Sequence, residues 1–443
     1  MSEGDPTTER LGKRAIRGSA WTMAAFGINQ ALRLTSALLL SRLLGRETLG
    51  LMALVNSIVT GVHLFTDFGI YFTVANSKRQ DERFLNTLWT VQIVRSTTMW
   101  LVLVALAWPT SRIYERNPEL LYLLPVIGFG PFLSGFQSMA IFTLNRQLNL
   151  GRLTIVEIGI QLATMGTMLV CSWLWPTIWV LIGTAILGDL LKSLLSHLCL
   201  PRRPHRLAWE RETLRELTGF GRWVFLSTIF TFCSTQADRM ILAKLLSTSF
   251  LAVYNYAMMF AVAVVELGRT MSQRVVLPAV AELVRRSDPG LRTKYARLRV
   301  RLIGIVAMVL VPLTWGGDIL FRWLFPATFH EGGWMLRMLA GGFLAAIVNA
   351  SAECVFPAVG DSFRMMLFTG VRVVSGIAGM LIGFDLAGER GFVAAIACNE
   401  LVVYPVLAFF LARKQLWQPG VDLPFLGFMA GSFAASCVAR PLW

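Results

Sequence analysis

A chain of 443 residues that is 55% hydrophobic and only 15% charged, with a mean hydropathy of +0.60, excludes a soluble globular domain and a disordered chain alike. Its formal net charge of +15 reads as a membrane-topology signal and an attraction to anionic lipid headgroups, with no nucleic-acid partner required. The six cysteines are scattered without paired spacing and no glycine-rich phosphate loop ends in lysine, so neither a disulfide framework, a zinc site nor ATP hydrolysis is indicated.

Residues 1–17 form a basic cytoplasmic segment (Arg10, Lys13, Arg14, Arg17) that leads into a full-length apolar stretch with no small-residue cleavage site, so the first helix is retained. Because a bilayer core takes about 20 apolar residues per helix, spans are expected at 18–41, 49–75, 85–108, 119–144, 152–174, 178–198, 220–243, 250–281, 299–325, 333–357, 363–384 and 389–411. A further apolar patch at Phe425–Val438 is short for a span, and 413–443 is read as a tail holding at most a partial extra helix. The N-terminal segment, the even-numbered connections and the tail at Arg413-Lys414 hold 25 Lys and Arg against 7 on the opposite side, which places both termini in the cytoplasm.

The chain repeats itself. An offset of 202 aligns Trp21 with Trp223 and Ser41-Arg42-Leu43-Leu44 with Ala243-Lys244-Leu245-Leu246; at 211, Gly188-Asp189 meets Asn399-Glu400. The expected fold is therefore all-α and polytopic, about twelve transmembrane helices in two pseudo-twofold-related six-helix lobes. The N-lobe covers 18–198, a cytoplasmic linker 199–219 and the C-lobe 220–412.

Eight bases fall in the interiors of spans: Arg33, Arg95, Lys192, Arg239, Arg269, Arg274, Arg337 and Arg372. Facing lipid at mid-depth they would cost on the order of 20–28 kcal/mol together. Asp189 with Lys192 and Glu266 with Arg269 are spaced to meet on one helix face. Arg33, Arg95, Arg274, Arg337 and Arg372 have no acid three or four residues away, and must snorkel, pair between helices or line a wet cavity. Arg274 and Arg337, nearer span ends, favour snorkelling. Polar stripes recur at helical spacing: Asn29, Arg33 and Ser36; Asn56, Thr60, His63 and Asp67; Ser227, Thr231, Ser234 and Asp238; Asn255, Glu266, Arg269 and Gln273. They suit a shared polar cavity, or for the hydroxyl residues interhelical contacts. The repeat sets Asp67 opposite Arg269 as an expected gate, with His63 one turn away either as a proton-sensitive neighbour or as a structural histidine.

Several words resemble one family. Gly18-Ser19-Ala20-Trp21, Ser41-Arg42-Leu43-Leu44-Gly45-Arg46-Glu47, Asp67-Phe68-Gly69, Leu85-Asn86-Thr87, Asp238-Arg239-Met240-Ile241-Leu242 and Val253-Tyr254-Asn255-Tyr256, in that order, resemble the oligosaccharide and polysaccharide flippases of the multidrug/oligosaccharidyl-lipid/polysaccharide exporter superfamily. The resemblance covers about residues 10–415, departs from the pattern at Lys244-Leu245-Leu246-Ser247, and leaves the tail after Arg413 without a counterpart. It implies a carrier in the bacterial inner membrane that moves a polyprenyl-diphosphate-linked oligosaccharide to the outer leaflet by alternating access. Its product would pass to a polysaccharide polymerase and other assembly proteins, and a coupling proton or sodium ion would be its only small cofactor.

The residue types fit that cargo. Guanidinium groups bind diphosphates through paired charge-assisted hydrogen bonds, which makes Arg33, Arg95, Arg269 and Arg372 the candidate headgroup contacts. Asn29, Asn56, Thr60, Thr231 and Asn255 are candidate sugar contacts, and His63, Asp67, Asp238 and Glu266 are candidates for gating or ion coupling. A peptidoglycan-precursor flippase shares the diphosphate chemistry. A cation-coupled drug antiporter would draw instead on the seven intramembrane acids, Asp67, Glu157, Asp189, Asp238, Glu266, Glu353 and Glu400. A membrane glycosyltransferase would need an acid–base constellation on large outer loops, which are short here.

Overall fold

The computed structural model describes residues 27–66, 70, 73, 74, 77, 79, 81–146, 150–200, 206–286, 289–358 and 361–439. All regular structure among them is helical. The helices are α1 (27–43), α2 (Arg46–Phe65), α3 (Glu82–Ile113), α4 (Leu120–Ser134), α5 (Ala140–Arg146), α6 (Leu150–Leu174), α7 (Ile178–Leu198) and α8 (Arg211–Leu245). They continue as α9 (Thr248–Met271), α10 (Leu277–Arg285), α11 (Leu291–Leu324), α12 (Gly332–Glu353), α13 (Ser362–Arg413) and α14 (Pro419–Ala439). Eight described helices are long and apolar enough to cross a membrane. The chain divides into two compact units, Met1–Ile229 and Phe230–Trp443, with the boundary inside α8.

Most helix limits follow local chemistry. Asp81 caps α3 by accepting from the Phe84 amide at 3.2 Å, and Ser247 caps α9 through the Phe250 amide at 3.2 Å. Within α13, Ala387 and Gly388 leave helical geometry, Gly388 at φ +58°, a left-handed value that glycine adopts without a Cβ penalty. The expected spans 363–384 and 389–411 are thus two arms of a hairpin. Their backbones approach so closely that a Cβ on Gly391 would stand 1.8 Å from the Gly383 carbonyl oxygen.

Three elements differ from the sequence reading. The expected span 119–144 is interrupted between α4 and α5, and its backbone groups are satisfied by side chains from neighbours. Gln92 Nε2 donates to the Gly135 oxygen at 3.0 Å, Ser196 Oγ accepts from the Ser138 amide at 2.9 Å, and His197 Nε2 lies 2.8 Å from the Phe136 oxygen. Span 8 is divided by a π-helical turn at Ser272–Val276, where Ser272 Oγ donates to the Ala350 oxygen at 3.2 Å. Third, the patch at 425–438 belongs to α14, a helix of 21 residues and so about 31 Å long.

In unit 2 nearly every residue of α12 is buried. Its glycines allow this: a Cβ on Gly342 would lie 2.0 Å from the Ala397 carbonyl oxygen, and Gly341 receives the Phe433 ring of α14. Removing these side chains brings α13 and α14 against the α12 backbone. In unit 1, the linker residues before α8 lie on α3: Arg206 and Ala208 donate their amides to Asn86 Oδ1 and Thr90 Oγ1 at 3.2 and 3.0 Å.

Candidate functional site

The first expected stripe is present on the surface of α1 and α2. Asn29 and Arg33 are exposed on α1, and Asn56, Thr60 and His63 are exposed on α2 while Leu54, Val55, Ile58 and Val62 on its other side are buried. Asp67 lies outside the described residues, and so the expected Asp67–Arg269 gate has only one described member. Arg33 Nη2 donates to Gln30 Oε1 at 2.8 Å, one turn back along α1. Arg95 of α3 reaches α2, its Nη2 3.3 Å from His63 Nε2 and 3.4 Å from the His63 backbone oxygen. Two candidate residues from different helices thus meet.

Unit 2 holds the others. Thr231 is exposed on α8 and Asn255 half-buried on α9. Asp238 accepts from the Tyr254 hydroxyl at 2.6 Å, the two side chains fixing α8 to α9 inside the unit. Neighbouring Arg239 donates to Gln236 Oε1 at 3.1 Å. Glu266 and Arg269 form the expected i,i+3 pair at 3.9 Å, with half and about a third of their side chains exposed. In unit 1, Asp189 lies over Gly130, where an added Cβ would come within 2.6 Å of its Oδ2, and it interacts electrostatically with Lys192.

The deeper charges pair across helices. Arg337, expected to snorkel, is buried and bonded to Asp318 of α11 at 2.8 Å. Asp318 lies within α11, which runs to Leu324. Arg274, on the π turn, is exposed. Arg372, expected as a headgroup contact, is committed within unit 2: its Nη2 lies 2.8 Å from Glu353 Oε2 and its Nε 3.1 Å from Glu400 Oε1. Its guanidinium also stacks over the Phe368 ring, 4.6 Å from the centroid. Around this cluster Asn349 donates to Glu400 Oε2 at 2.7 Å, Ser375 to Asn399 Oδ1 at 2.7 Å, and Asn399 to the Arg372 oxygen at 3.1 Å.

Local spacing does not single out Arg299, at the edge of the expected span 299–325, or Asp422, in the tail. They form a wholly buried pair at 2.6 Å. The signal that was available is the lone acid in the first turn of an apolar helix, where a carboxylate suits the helix dipole but needs a partner if buried.

Outside the spans, Arg79 is hydrogen-bonded to two acids, at 3.0 Å from Asp81 and 2.9 Å from Glu210, with a third, Glu212, at 3.5 Å. Those hydrogen bonds raise the Arg79 pKa and hold both carboxyl groups below their ordinary range, Glu210 helped by the Thr213 hydroxyl. The latch ties the connection before α3 to the linker before α8.

A family model described as polysaccharide biosynthesis protein matches residues 39–328. The lipopolysaccharide biosynthesis protein WzxC of Escherichia coli (strain K12) is 23% identical over 421 residues, covering 92% of this chain and 82% of that protein. Among solved structures, an inward-facing multidrug resistance MATE family transporter of the MOP superfamily superposes with a TM-score of 0.71 at 14% identity, covering 87% of this chain and 94% of that one. The lipid II flippase MurJ, in an inward closed conformation, gives 0.69 at 13% identity, covering 96% of this chain and 92% of its own. These likenesses establish the fold as that of this group of polytopic carriers.

Proposed function

Because the chain belongs to the polysaccharide biosynthesis protein family, we propose that it is a flippase of the bacterial cytoplasmic membrane that moves polyprenyl-diphosphate-linked oligosaccharide units to the outer leaflet by alternating access. The observation that carries this reading is the extent of the match, which covers most of the first compact unit and continues into the second. A relative named for lipopolysaccharide biosynthesis, alignable over 92% of this chain, supports the same cargo class.

The polar chemistry supports it as well. Arg33, Arg95 and Arg269 carry guanidinium groups on α1, α3 and α9 in settings that are not fully buried, suited to bidentate contact with a diphosphate. Arg372, already held by two carboxylates, serves unit 2 internally. Asn29, Asn56, Thr60, Thr231 and Asn255 supply sugar hydrogen bonds, and the lipid tail stays in the bilayer. The transporter makes and breaks no covalent bond, and its translocated units feed a polymerase on the far side.

The test is to delete the protein and identify the lipid-linked glycans of the cytoplasmic leaflet. Accumulation of an undecaprenyl-type diphosphate oligosaccharide is expected. Accumulation of a peptidoglycan precursor would replace the cargo, and no accumulation in a strain without a redundant carrier would overturn the reading.

A further inference from the structure

α11 is a helix of 34 residues, about 51 Å long, and so about 20 Å longer than a hydrocarbon core needs. One face is packed: Leu302, Val306, Leu310 and Phe321 are buried in unit 2. The opposite face carries exposed residues at three- and four-residue spacing along its length. It opens with Lys294, Arg297 and Arg301, and continues as Ile305, Met308, Pro312, Trp315, Ile319 and Trp323. The stripe is cationic for its first two turns and apolar after them.

The helix sets the depth of each residue. Met308 is 77% and Trp323 82% exposed, and apolar side chains so exposed on a spanning helix meet acyl chains, with the tryptophan at one interface. The rise from Trp323 back to Arg301 is about 33 Å, close to the thickness of the hydrocarbon core. Arg301 therefore reaches the opposite interface, and Arg297 and Lys294 fall in the headgroup layer beyond it. Arg297 and Arg301, four residues apart, are neighbours on the helix surface, with Cβ atoms about 5–6 Å apart. The described carboxylates near this end are taken by other bases: Glu282 by Arg285 and Arg286, Asp361 by Arg364 and Lys414, and Asp422 by the inward-facing Arg299. Among the described residues, none is bonded to Arg297 or Arg301.

The internal repeat supplies a second observation. An offset of 207 aligns Leu103-Val104-Ala105-Leu106-Ala107-Trp108 of α3 with Leu310-Val311-Pro312-Leu313-Thr314-Trp315 of α11. At that offset the places of Lys294, Arg297 and Arg301 are held in α3 by Thr87, Thr90 and Val94. The linker also lies on that end of α3, where the Ala208 amide donates to Thr90 Oγ1. The corresponding helix thus has neither the bases nor the open face, so the shared fold does not require them on α11.

We propose that the outward face of α11 at Arg297 and Arg301 binds an anionic phospholipid of the surrounding bilayer, its phosphate on the two guanidinium groups and an acyl chain along Ile305 and Met308. Guanidinium groups match phosphate oxygens with paired charge-assisted hydrogen bonds, and basic groups at this depth attract anionic headgroups. A zwitterionic lipid sets an ammonium beside its phosphate and binds less well. The apolar lane beyond Arg301 suits a lipid that stays in its leaflet. It has no polar group to lead a headgroup across, since the Trp315 Nε1–H is already donated to Ser432 Oγ at 3.0 Å. The site rests on α11 crossing the membrane and not on the flippase reading.

The experiment is native mass spectrometry of the full chain released from detergent, titrated with phosphatidylglycerol and, in parallel, with phosphatidylcholine of the same acyl chains. The wild type is expected to bind phosphatidylglycerol more tightly. Arg297→Gln and Arg301→Gln are each expected to weaken that binding about 5-fold, and the double variant about 30-fold, with phosphatidylcholine binding unchanged. Equal affinity of the wild type for the two lipids, or undiminished phosphatidylglycerol binding by the double variant, overturns the proposal. A photoreactive phosphatidylglycerol in phosphatidylcholine nanodiscs tests the wild type without any variant: label on residues 294–308 supports the site, and label confined to other segments overturns it. Displacement of that label by undecaprenyl diphosphate but not by unlabelled phosphatidylglycerol also overturns it, and assigns the face to the cargo headgroup.

Discussion

The Arg299 guanidinium lies 2.6 Å from the Asp422 carboxylate, and neither side chain is exposed. Arg299 also donates to Ser351 Oγ and the Val348 oxygen, and Asp422 accepts from the Tyr404 hydroxyl, itself bonded by Trp417 Nε1. Through this network α14 is joined to α11, α12 and the second arm of α13. Asp422→Asn is expected to destabilise the protein by about 3–5 kcal/mol, since it strands a buried guanidinium. The double variant Arg299→Met/Asp422→Leu is expected to recover most of that loss. Thermal unfolding in detergent compares them; equal stability of Asp422→Asn and wild type would show that the pair is not buried in the folded protein.

Gly342 and Gly370 give a paired test of packing. An added Cβ meets the Ala397 carbonyl oxygen at 2.0 Å in the first case and only the Phe230 ring at 3.5 Å in the second. Backbone cannot yield as a ring can, so Gly342→Ala is expected to cost about 1–3 kcal/mol and Gly370→Ala much less. Melting temperatures of the two variants decide it, and a reversed order would contradict the α12–α13 contact.

The Arg79 latch has a pH signature. Asp81 and Glu210 have lowered folded pKa values, so their contribution is fully present above the ordinary carboxylate range near 4. It is lost as pH falls through the depressed folded values. Arg79→Ala is therefore expected to be less stable than wild type at neutral pH, with the gap closing in acid. A gap that stays constant from pH 7 to about pH 3 would mean that the ion pairs contribute nothing.

Arg33→Gln and Arg95→Gln are expected to lower glycan export at least about 10-fold each at unchanged protein level, the loss of roughly 1.5–3 kcal/mol of charge-assisted hydrogen bonding to the headgroup. Arg33→Lys is expected to keep part of the activity, because it retains the charge without the planar fork. Flipping rates in vesicles loaded with lipid-linked oligosaccharide measure this; wild-type rates in both Gln variants would remove these residues from the headgroup site.

Much of the architecture was legible in the chain itself. Spans at 152–174 and 178–198 reappear as Leu150–Leu174 and Ile178–Leu198, because apolar length and breaker residues are local properties that lipid reads directly. Helical periodicity likewise placed Asn56, Thr60 and His63 on one exposed face of α2 and matched Glu266 with Arg269. Sequence separation concealed the rest. Arg372 has no acid within a helical turn, yet finds Glu353 and Glu400 on other segments; Arg299, at the edge of its expected span, is the anchor of α14. Such pairings depend on which glycines let α12, α13 and α14 approach. The sequence alone therefore determined that this is a polytopic, internally repeated membrane protein. Only the tertiary structure decided which intramembrane charges are already spent, because a buried charge takes whatever partner helix packing brings within about 3 Å.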